Sequence, residues 1–253
     1  MTKLWVMSDL HLETVPYPES FRPRPPVFDV LVAAGDIVQG DCGRAFRVLR
    51  RIAGDMPIVA VLGNHEHWNG ILEDNLEAAK RLAPEYGITL LDDELATVCG
   101  CAFVGTTLWG DYSLCSAAAD PYAETGERFH VRHDGGSHPI TVGDAVRLHQ
   151  EGRERLEQCL ATADPSLPLV AVTHHAPHPD CLPRIARGTW AAGNAASDLS
   201  AILDQSSIAL WVHGHLHNSV DITRGKNRTR IVCNPAGAMF SNVAFDEELV
   251  IEV

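Results

Sequence analysis

The sequence lacks any long apolar run and any excess of positive charge. Its first apolar stretch covers only about five residues before Ser8 and Asp9, which is too short for a signal sequence or a membrane span, and no later run comes close. The formal net charge of -13 is spread along the chain. That distribution disfavours tight binding to nucleic acid or to an anionic membrane, so we expect neither partner. A small anionic substrate held by cations remains open, and the sequence does not indicate an oligomeric state.

A CxxC pair is also missing. The seven cysteines are an odd number, and most of them lie in apolar stretches. They are Cys42, Cys99, Cys101, Cys115, Cys159, Cys181 and Cys233. This pattern is typical of buried free thiols in a reducing cytoplasm, and it argues against a disulfide framework or a zinc-thiolate site. We therefore expect a cytoplasmic protein.

The chain does have alternating apolar runs and amphipathic segments, within a length of 253 residues that suits one α/β domain with insertions. The predicted strands are residues 4–7, 28–34, 58–62, 88–91, 95–98, 102–105, 168–173, 208–212, 230–233 and 249–253. The predicted helices are residues 44–53, 69–82, 144–160 and 197–203, the last with Ser197 as its N-cap. Residues 106–143 show no sustained periodicity. A segment of that length is usually functional or disordered, and we expect an irregular insertion that overhangs the active site.

Polar residues of metal-ligand type follow five of the predicted strands. They are Asp9 and His11, Asp36, Asn64 and His65, His174 and His175, and His215 and His217. In open α/β sheets, ligands bind beyond the carboxyl ends of the strands, so these side chains are expected to meet. Residues at i and i+2 of an extended backbone point to the same side, so the first and last pairs are each expected to converge on one spot.

This ligand set is too large for one four-coordinate ion. It offers two carboxylates, one amide oxygen and at least three imidazoles, which favours a site for two metal ions. Mixed oxygen and imidazole ligation suits Mn, Fe or Zn better than a thiolate-loving or purely oxygen-loving ion. We favour two Mn²⁺ ions, with Fe and Zn as the alternatives. Two such ions can share a carboxylate and a hydroxide near neutral pH.

In their order, these residues resemble the calcineurin-like metallophosphoesterases. The five sequence blocks of that family are D-x-H, GD, GNH[DE], a histidine after a strand, and GHxH. They correspond here to residues 9–11, 35–36, 63–66, 174 and 214–217. Five blocks in order are far more specific than any single block, and they span nearly the whole chain. The resemblance implies a four-layer α/β/β/α sandwich, in a stand-alone catalytic domain of the bacterial type over residues 1–253.

The resemblance also implies a role for each matched residue. The implied ligands are Asp9, His11 and His217 for the first metal ion, Asn64, His174 and His215 for the second, and Asp36 for both. His174 is preferred to His175 because it comes first after its strand. His65 would bind no metal; it would face the substrate, stabilise the phosphoryl oxygens and protonate the leaving group. A hydroxide bridging the metals would attack phosphorus in line.

The sequence departs from three branches of the superfamily. Residues 35–40 read GDIVQG, without the aspartate and arginine of the GDxVDRG block of protein Ser/Thr phosphatases. Gln39 stands where purple acid phosphatases carry a metal-bound tyrosine, and the capping domain of the DNA-repair nucleases is missing. We therefore predict a binuclear metal-dependent hydrolase of small phosphate esters, with a phosphodiesterase preferred. The alternatives are a phosphomonoesterase for a small molecule or phosphopeptide, and a catalytically silent scaffold that binds proteins.

Several residues near the five blocks are candidates for binding the substrate, namely Asn64, His67, Trp109, His175 and Arg184. Gly63 is expected to permit a tight turn after its strand, and Glu66 to support the loop by local hydrogen bonds. His213 is expected to be a packed interior histidine. The histidines of the insertion are expected to be solvated rather than to form a third metal site; they are His130, His133 and His138.

Overall fold

Two main sheets form the centre of the fold, and the first has five strands. The structure is a computed structural model that describes every residue from 1 to 253 apart from the side chain of Glu19. The strands of the first sheet are β1 (Lys3–Met7), β2 (Val30–Ala34), β3 (Ile58–Val61), β4 (Ile88–Leu90) and β13 (Val250–Glu252). They lie in the order β13, β1, β2, β3, β4. Strands β1 to β4 are parallel, whereas β13 pairs antiparallel with β1. Four carboxyl ends therefore share one edge of this sheet.

The second main sheet has six strands. They are β5 (Glu94–Val98), β6 (Cys101–Thr106), β9 (Leu169–Thr173), β10 (Ile208–His213), β11 (Val220–Arg224) and β12 (Thr229–Cys233). Their order is β11, β12, β10, β9, β6, β5. The four inner strands are parallel, and the two outer strands pair antiparallel with their neighbours. Strand β11 was absent from the sequence prediction.

The two sheets pack against each other through an apolar layer. Val6 and Val32 of the first sheet and Phe103, Val172 and Val212 of the second are all buried in it. Strand β2 is buried along its whole length because its alternate side chains face this layer and an outer helix layer. That double burial explains the unbroken apolar runs in the sequence.

Helices cover the outer face of each sheet. Helices α1 (Cys42–Ala53) and α2 (Leu72–Leu82) pack on the first sheet. Helices α3 (Val142–Thr162), α4 (Trp190–Ala195) and α5 (Ser200–Gln205) pack on the second. The result is the predicted four-layer α/β/β/α arrangement, which is confirmed.

Helix ends follow local hydrogen bonding more closely than periodicity. Asp41 caps α1 by accepting the Arg44 N–H at 2.8 Å, and α3 begins with a capping box formed by Thr141 and Asp144. The prediction of Ser197 as an N-cap was wrong, since α5 begins at Ser200. The buried Ser197 hydroxyl instead lies 3.3 Å from His149 Nδ1. Helix α4 was not predicted at all.

The insertion over residues 106–143 is more ordered than its composition indicates. It contains a hairpin of β7 (His130–His133) and β8 (Gly136–Pro139). Phe129 is buried beside Trp109, with ring centroids 5.4 Å apart, and this apolar cluster explains the order. His130 and His133 are exposed, and the described histidines of this hairpin join no metal-holding group.

All seven cysteines are free thiols, of which four are buried, namely Cys42, Cys101, Cys181 and Cys233.

Within the described residues, no α-helix has both the length and the hydropathy that a bilayer crossing requires.

Candidate metal centre

The carboxyl ends of five parallel strands, three in the first sheet and two in the second, meet at one edge of the sandwich. The side chains that follow them are Asp9 and His11 after β1, Asp36 after β2, Asn64 and His65 after β3, His174 after β9, and His215 and His217 after β10. Most of these residues are buried, with His65, His215 and His217 partly open to solvent. The two sheets thus bring the predicted ligands together as the strand ends indicated.

A first group consists of Asp9, His11, Asp36 and His217, whose ligand atoms all lie within 4.8 Å of one another. His11 Nε2 is 2.8 Å from His217 Nε2, and His217 Nε2 is 3.7 Å from Asp9 Oδ1. The other ring nitrogen of His11, Nδ1, lies 3.1 Å from a carboxylate oxygen of Glu13. These four residues could hold one ion.

A second group consists of Asp36, His174 and His215, again with ligand atoms within 4.8 Å. The amide oxygen of Asn64 joins it, at 2.8 Å from His174 Nε2 and 3.1 Å from His215 Nδ1. Asp36 Oδ2 lies 3.4 Å from His174 Nε2 and 3.6 Å from His11 Nε2. Asp36 therefore stands between the two groups.

The donor atoms of both groups suit cations. His174 Nδ1 is 2.8 Å from the carbonyl oxygen of Ala34, which can only accept, so Nδ1 carries the hydrogen. When His174 is neutral, its Nε2 presents a lone pair to Asn64 Oδ1, itself an acceptor. These facing buried acceptors need positive charge between them, which a divalent cation would supply and which, without an ion, a proton on His174 supplies.

The pKa shifts of these buried side chains indicate the same preference for positive charge beside the carboxylates. Burial opposes the charged form of His174, but the charge and hydrogen bond of Asp36, the charge of Asp9 and the Ala34 carbonyl together outweigh it and raise the pKa of His174 to about 10. Burial likewise opposes the charge of His11, whose pKa the hydrogen bond to Glu13 and the charge of Asp36 raise to about 9. Burial opposes the charge of Asp36, yet the charge and hydrogen bond of His174, with His65 and His11, together hold its pKa well below the usual range. Burial raises the pKa of Asp9.

The ligands on the strand-end loops have left-handed backbone. Five of them have positive φ, at 50° for Asp9, 42° for His11, 56° for Asp36, 68° for His215 and 48° for His217. The extended backbone predicted for the i and i+2 pairs was therefore wrong. Asp9 and His11 still meet in the first group, whereas His215 and His217 belong to different groups. Non-glycine residues adopt such φ values at a cost, and they cluster at functional sites.

Gly63 is required for close approach rather than for a turn. Its φ lies outside the left-handed region, but a Cβ there would collide with Asp36 Oδ1 and would lie 2.8 Å from Asp36 Cγ. Glu66 follows three residues later and is buried. Its carboxylate accepts the backbone N–H groups of Asp36, Ile37, Val38 and Gly63 at 2.7 to 3.2 Å. Glu66 thus joins two ligand loops, which extends the local support expected from the sequence.

His65 lies at the mouth of this centre. Its side chain is 19% exposed, and its Nε2 is 4.0 Å from Asp36 Oδ2. The ring stacks on Trp68 at a centroid distance of 3.6 Å and an interplanar angle of 24°. Burial of the ring lowers the pKa of His65. The His65 ring therefore lies beside the two ligand groups that share Asp36, but it belongs to neither of them.

The family model described as calcineurin-like phosphoesterase matches residues 2–219. The chain belongs to the calcineurin-like phosphoesterase family. The resemblance seen in the sequence is thereby confirmed.

Two further proteins are similar to most of the chain. An uncharacterised protein, L509, of Acanthamoeba polyphaga mimivirus is 26% identical over 244 residues, which are 86% of this chain and 85% of that protein. The solved structure of a phosphopantetheinyl hydrolase (PptH) from Mycobacterium tuberculosis has a TM-score of 0.69 at 20% identity, and it covers 93% of this chain and 89% of that one. At that identity the likeness shows a shared fold.

Two carboxylates at this phosphoesterase site were missed in the sequence. Glu13 contacts His11, and its Oε1 also lies 3.8 Å from His65 Nδ1, so these three residues form a third group with ligand atoms within 4.8 Å. The D-x-H-x-E pattern of residues 9–13 could have indicated it. Glu127 accepts hydrogen bonds from Asn64 and Trp68, both at 2.8 Å. Glu127 lies outside the five sequence blocks.

The predicted substrate-binding residues fall in different places around the phosphoesterase centre. His67 and Trp109 are buried and pack together at 5.7 Å between ring centroids. His175 is buried and stacks on His215 at 4.3 Å, whereas His174 lies in the second ligand group, as preferred. Arg184 is exposed on a short 3-10 turn and joins none of the described ligand groups. His213 is a buried histidine of β10, as expected.

Proposed function

We propose that this chain hydrolyses phosphate esters with the help of two divalent metal ions, and that its preferred esters are phosphodiesters. The observation that carries the proposal is the pair of buried ligand groups that share Asp36 at the carboxyl ends of five strands. Membership of the phosphoesterase family supports the reaction class. Mixed carboxylate, amide and imidazole donors support Mn²⁺, with Fe or Zn as the alternatives.

The residues that would hold the first ion are Asp9, His11 and His217, and those for the second are Asn64, His174 and His215, with Asp36 common to both. Such ions, when bound, supply positive charge to phosphoryl oxygens and a water molecule of lowered pKa as the nucleophile. The mutual approach of lone pairs in both groups supports this assignment.

We assign His65 the proton transfer to the leaving oxygen, which its protonated form would carry out. Because burial lowers the pKa of His65, this form increases as the pH falls. His65 Nε2 lies 4.0 Å from Asp36 Oδ2, the carboxylate common to both ligand groups, and stacking on Trp68 restricts the ring. Such general acid catalysis contributes about 10² to 10⁴ in rate. Glu13 Oε1 lies 3.1 Å from His11 Nδ1 and 3.8 Å from His65 Nδ1, so it orients both rings through these nitrogens.

The charge of the rim favours a diester over a monoester. The Glu127 carboxylate lies against the Asn64 amide. The three lysines pair with carboxylates outside the proposed ligand set, namely Lys3 with Glu252, Lys80 with Asp92 and Lys226 with Asp204. The guanidinium of Arg128 lies 4.9 Å over the Trp68 ring. A phosphomonoester is largely dianionic at neutral pH because its second pKa is about 6. A monoanionic diester therefore meets less repulsion from these carboxylates.

Two alternatives follow from the same fold. A phosphomonoesterase would turn over small monoesters or phosphopeptides faster than diesters. A silent scaffold would bind proteins without turnover, but every ligand position of the family is filled here.

The structural relative named phosphopantetheinyl hydrolase supports including a phosphopantetheinyl ester among the test compounds. The free thiols support our proposal of a cytoplasmic location.

The test combines metal analysis with an ester panel. Purified protein loaded with Mn²⁺ is assayed on bis(p-nitrophenyl) phosphate, p-nitrophenyl phosphate, cyclic nucleotides and a phosphopantetheinyl ester. We expect two equivalents of Mn²⁺ and a higher kcat/KM for at least one diester than for any monoester. The Asp36→Ala variant is the control for contaminating hydrolases. Two bound ions with no turnover of any ester would overturn the enzymatic proposal in favour of the scaffold.

A further inference from the structure

Glu127 brings a carboxylate from the insertion into the proposed metal centre. It accepts the side-chain N–H of Asn64 and the indole N–H of Trp68, both through Oε2 at 2.8 Å. Asn64 is a proposed metal ligand, and Trp68 stacks on His65. One side chain of the insertion therefore contacts both a proposed metal ligand and the residue that stacks on the proposed acid.

The backbone around Glu127 is fixed to the loop that carries these neighbours. Asn69 N–H donates to the Arg128 carbonyl at 2.7 Å, and His130 N–H donates to the Gly70 carbonyl at 3.0 Å. Phe129, between them, is buried among aromatic rings. These contacts hold the start of the hairpin against the residues that follow Asn64. Glu127 is thus positioned by packing, even though its own side chain is only half-buried.

The hydrogen bond to Glu127 decides which way the Asn64 amide points. An ionised carboxylate only accepts, so it can face the NH₂ end of the amide and not the oxygen. The amide oxygen is then directed at His174 and His215, where the second ion would lie. With the amide reversed, its NH₂ group would point at the ion and repel it. Groups that orient a ligand in this way are worth about 10- to 100-fold in metal affinity.

We propose that Glu127 is a positioning residue that selects the ligating orientation of Asn64 and thereby sets the affinity for the second metal ion. The inference rests on the proposed metal-dependent function, which it deepens by giving the insertion a role. Asn194 supports the arrangement from the other side. Its NH₂ group lies 3.5 Å from Glu127 Oε1, and its oxygen accepts the hydroxyl of Tyr112 at 3.0 Å.

The test measures Mn²⁺ affinity as well as catalysis. Metal-stripped Glu127→Ala, Glu127→Gln and wild-type protein are titrated with MnCl₂ by calorimetry, and bound Mn²⁺ is counted by elemental analysis. The matched control is Glu124→Ala, an exposed carboxylate three residues earlier in the same segment. His215→Ala identifies the binding step that belongs to the second ion.

We expect Glu127→Ala to weaken the second ion by about 10- to 100-fold and to leave the first unchanged. Glu127→Gln should recover part of the loss, since one amide oxygen can accept both hydrogen bonds. Unchanged affinity for both ions in Glu127→Ala would overturn the proposal. So would an equal loss of both ions with a lowered melting temperature, which would indicate a general structural role. A wild-type protein that binds two ions but hydrolyses no ester would overturn the proposed function alone.

Discussion

Replacing Gly63 by alanine tests whether close packing at Asp36 sets the geometry of the metal centre. A Cβ at position 63 would lie 2.8 Å from Asp36 Cγ and 2.6 Å from its backbone nitrogen. Ordinary carbon contacts are about 3.5 to 4.0 Å, so the carboxyl group would have to recede by about 1 Å. The Asp36 carboxylate also accepts the His65 N–H at 2.9 Å, so the movement would disturb both ligand groups and the proposed acid.

The size of the effect follows from that displacement. A misplacement of about 1 Å at a catalytic group costs on the order of 10²-fold in rate. Overpacking of this kind also destabilises by about 1 to 3 kcal/mol, which corresponds to a fall of roughly 2 to 12 °C in Tm. We therefore expect Gly63→Ala to fold, to bind Mn²⁺ weakly at both positions and to lose about two orders of magnitude in kcat.

The assay is Mn²⁺ calorimetry, diesterase kinetics and thermal unfolding on the same preparation. Gly136→Ala is the matched control. Its φ lies outside the left-handed region, and the nearest atom to a new Cβ is 3.7 Å away in the exposed hairpin. If Gly63→Ala bound two ions with wild-type affinity, the argument that close approach to Asp36 sets the site would be refuted.

Three further variants separate the roles of individual residues. Asp36→Ala should lose bound metal from both positions because its carboxylate lies between the two groups, and retention of two equivalents by elemental analysis would remove it as the shared ligand. His65→Ala should keep two ions but lose about 10² to 10⁴ in rate, most for esters with poor leaving groups, and equal loss across a series of leaving groups would contradict an acid role. Glu13→Gln should weaken the ion held by His11 by about 10- to 100-fold in a Mn²⁺ titration, and an unaltered first binding step would exclude an orienting role.

The sheets could be predicted because double burial leaves a strong sequence pattern. Apolar runs such as residues 30–34 and 58–61 are buried on both faces, and abrupt polar endings mark where their carboxyl ends reach the surface. The ligand positions followed from the same endings. Element boundaries were less secure, since hydrogen bonds such as the Asp41 cap decide where a helix begins. Strand β11 alternates regularly, but only Val220 is fully buried in it, so its apolar pattern was too short to be distinctive.

Contacts between distant segments could not be predicted from the sequence. Glu127 is 63 residues from Asn64 along the chain, and its carboxylate arrives through the packing of Phe129 rather than through a motif. Glu66 was visible in the GNHE block, but its bonds to Ile37 and Val38 depend on the pairing of β2 with β3. The burial of His67 could not be predicted either. Residue type alone does not tell whether a polar or aromatic side chain lies at the surface of the site or is buried next to it.

The left-handed ligands show how the fold determines what local sequence does not. Positive φ at a non-glycine residue costs about 1 to 3 kcal/mol and persists only when its surroundings fix it. Here the strand-end loops bind one another. Asp9 N–H donates to the Gly35 carbonyl and His11 N–H to the Asp36 carbonyl, both at 3.0 Å, and Gly214 N–H donates to the His174 carbonyl at 2.9 Å. Each loop is therefore held by the loop of a neighbouring strand, and the ligand geometry depends on strand order across both sheets.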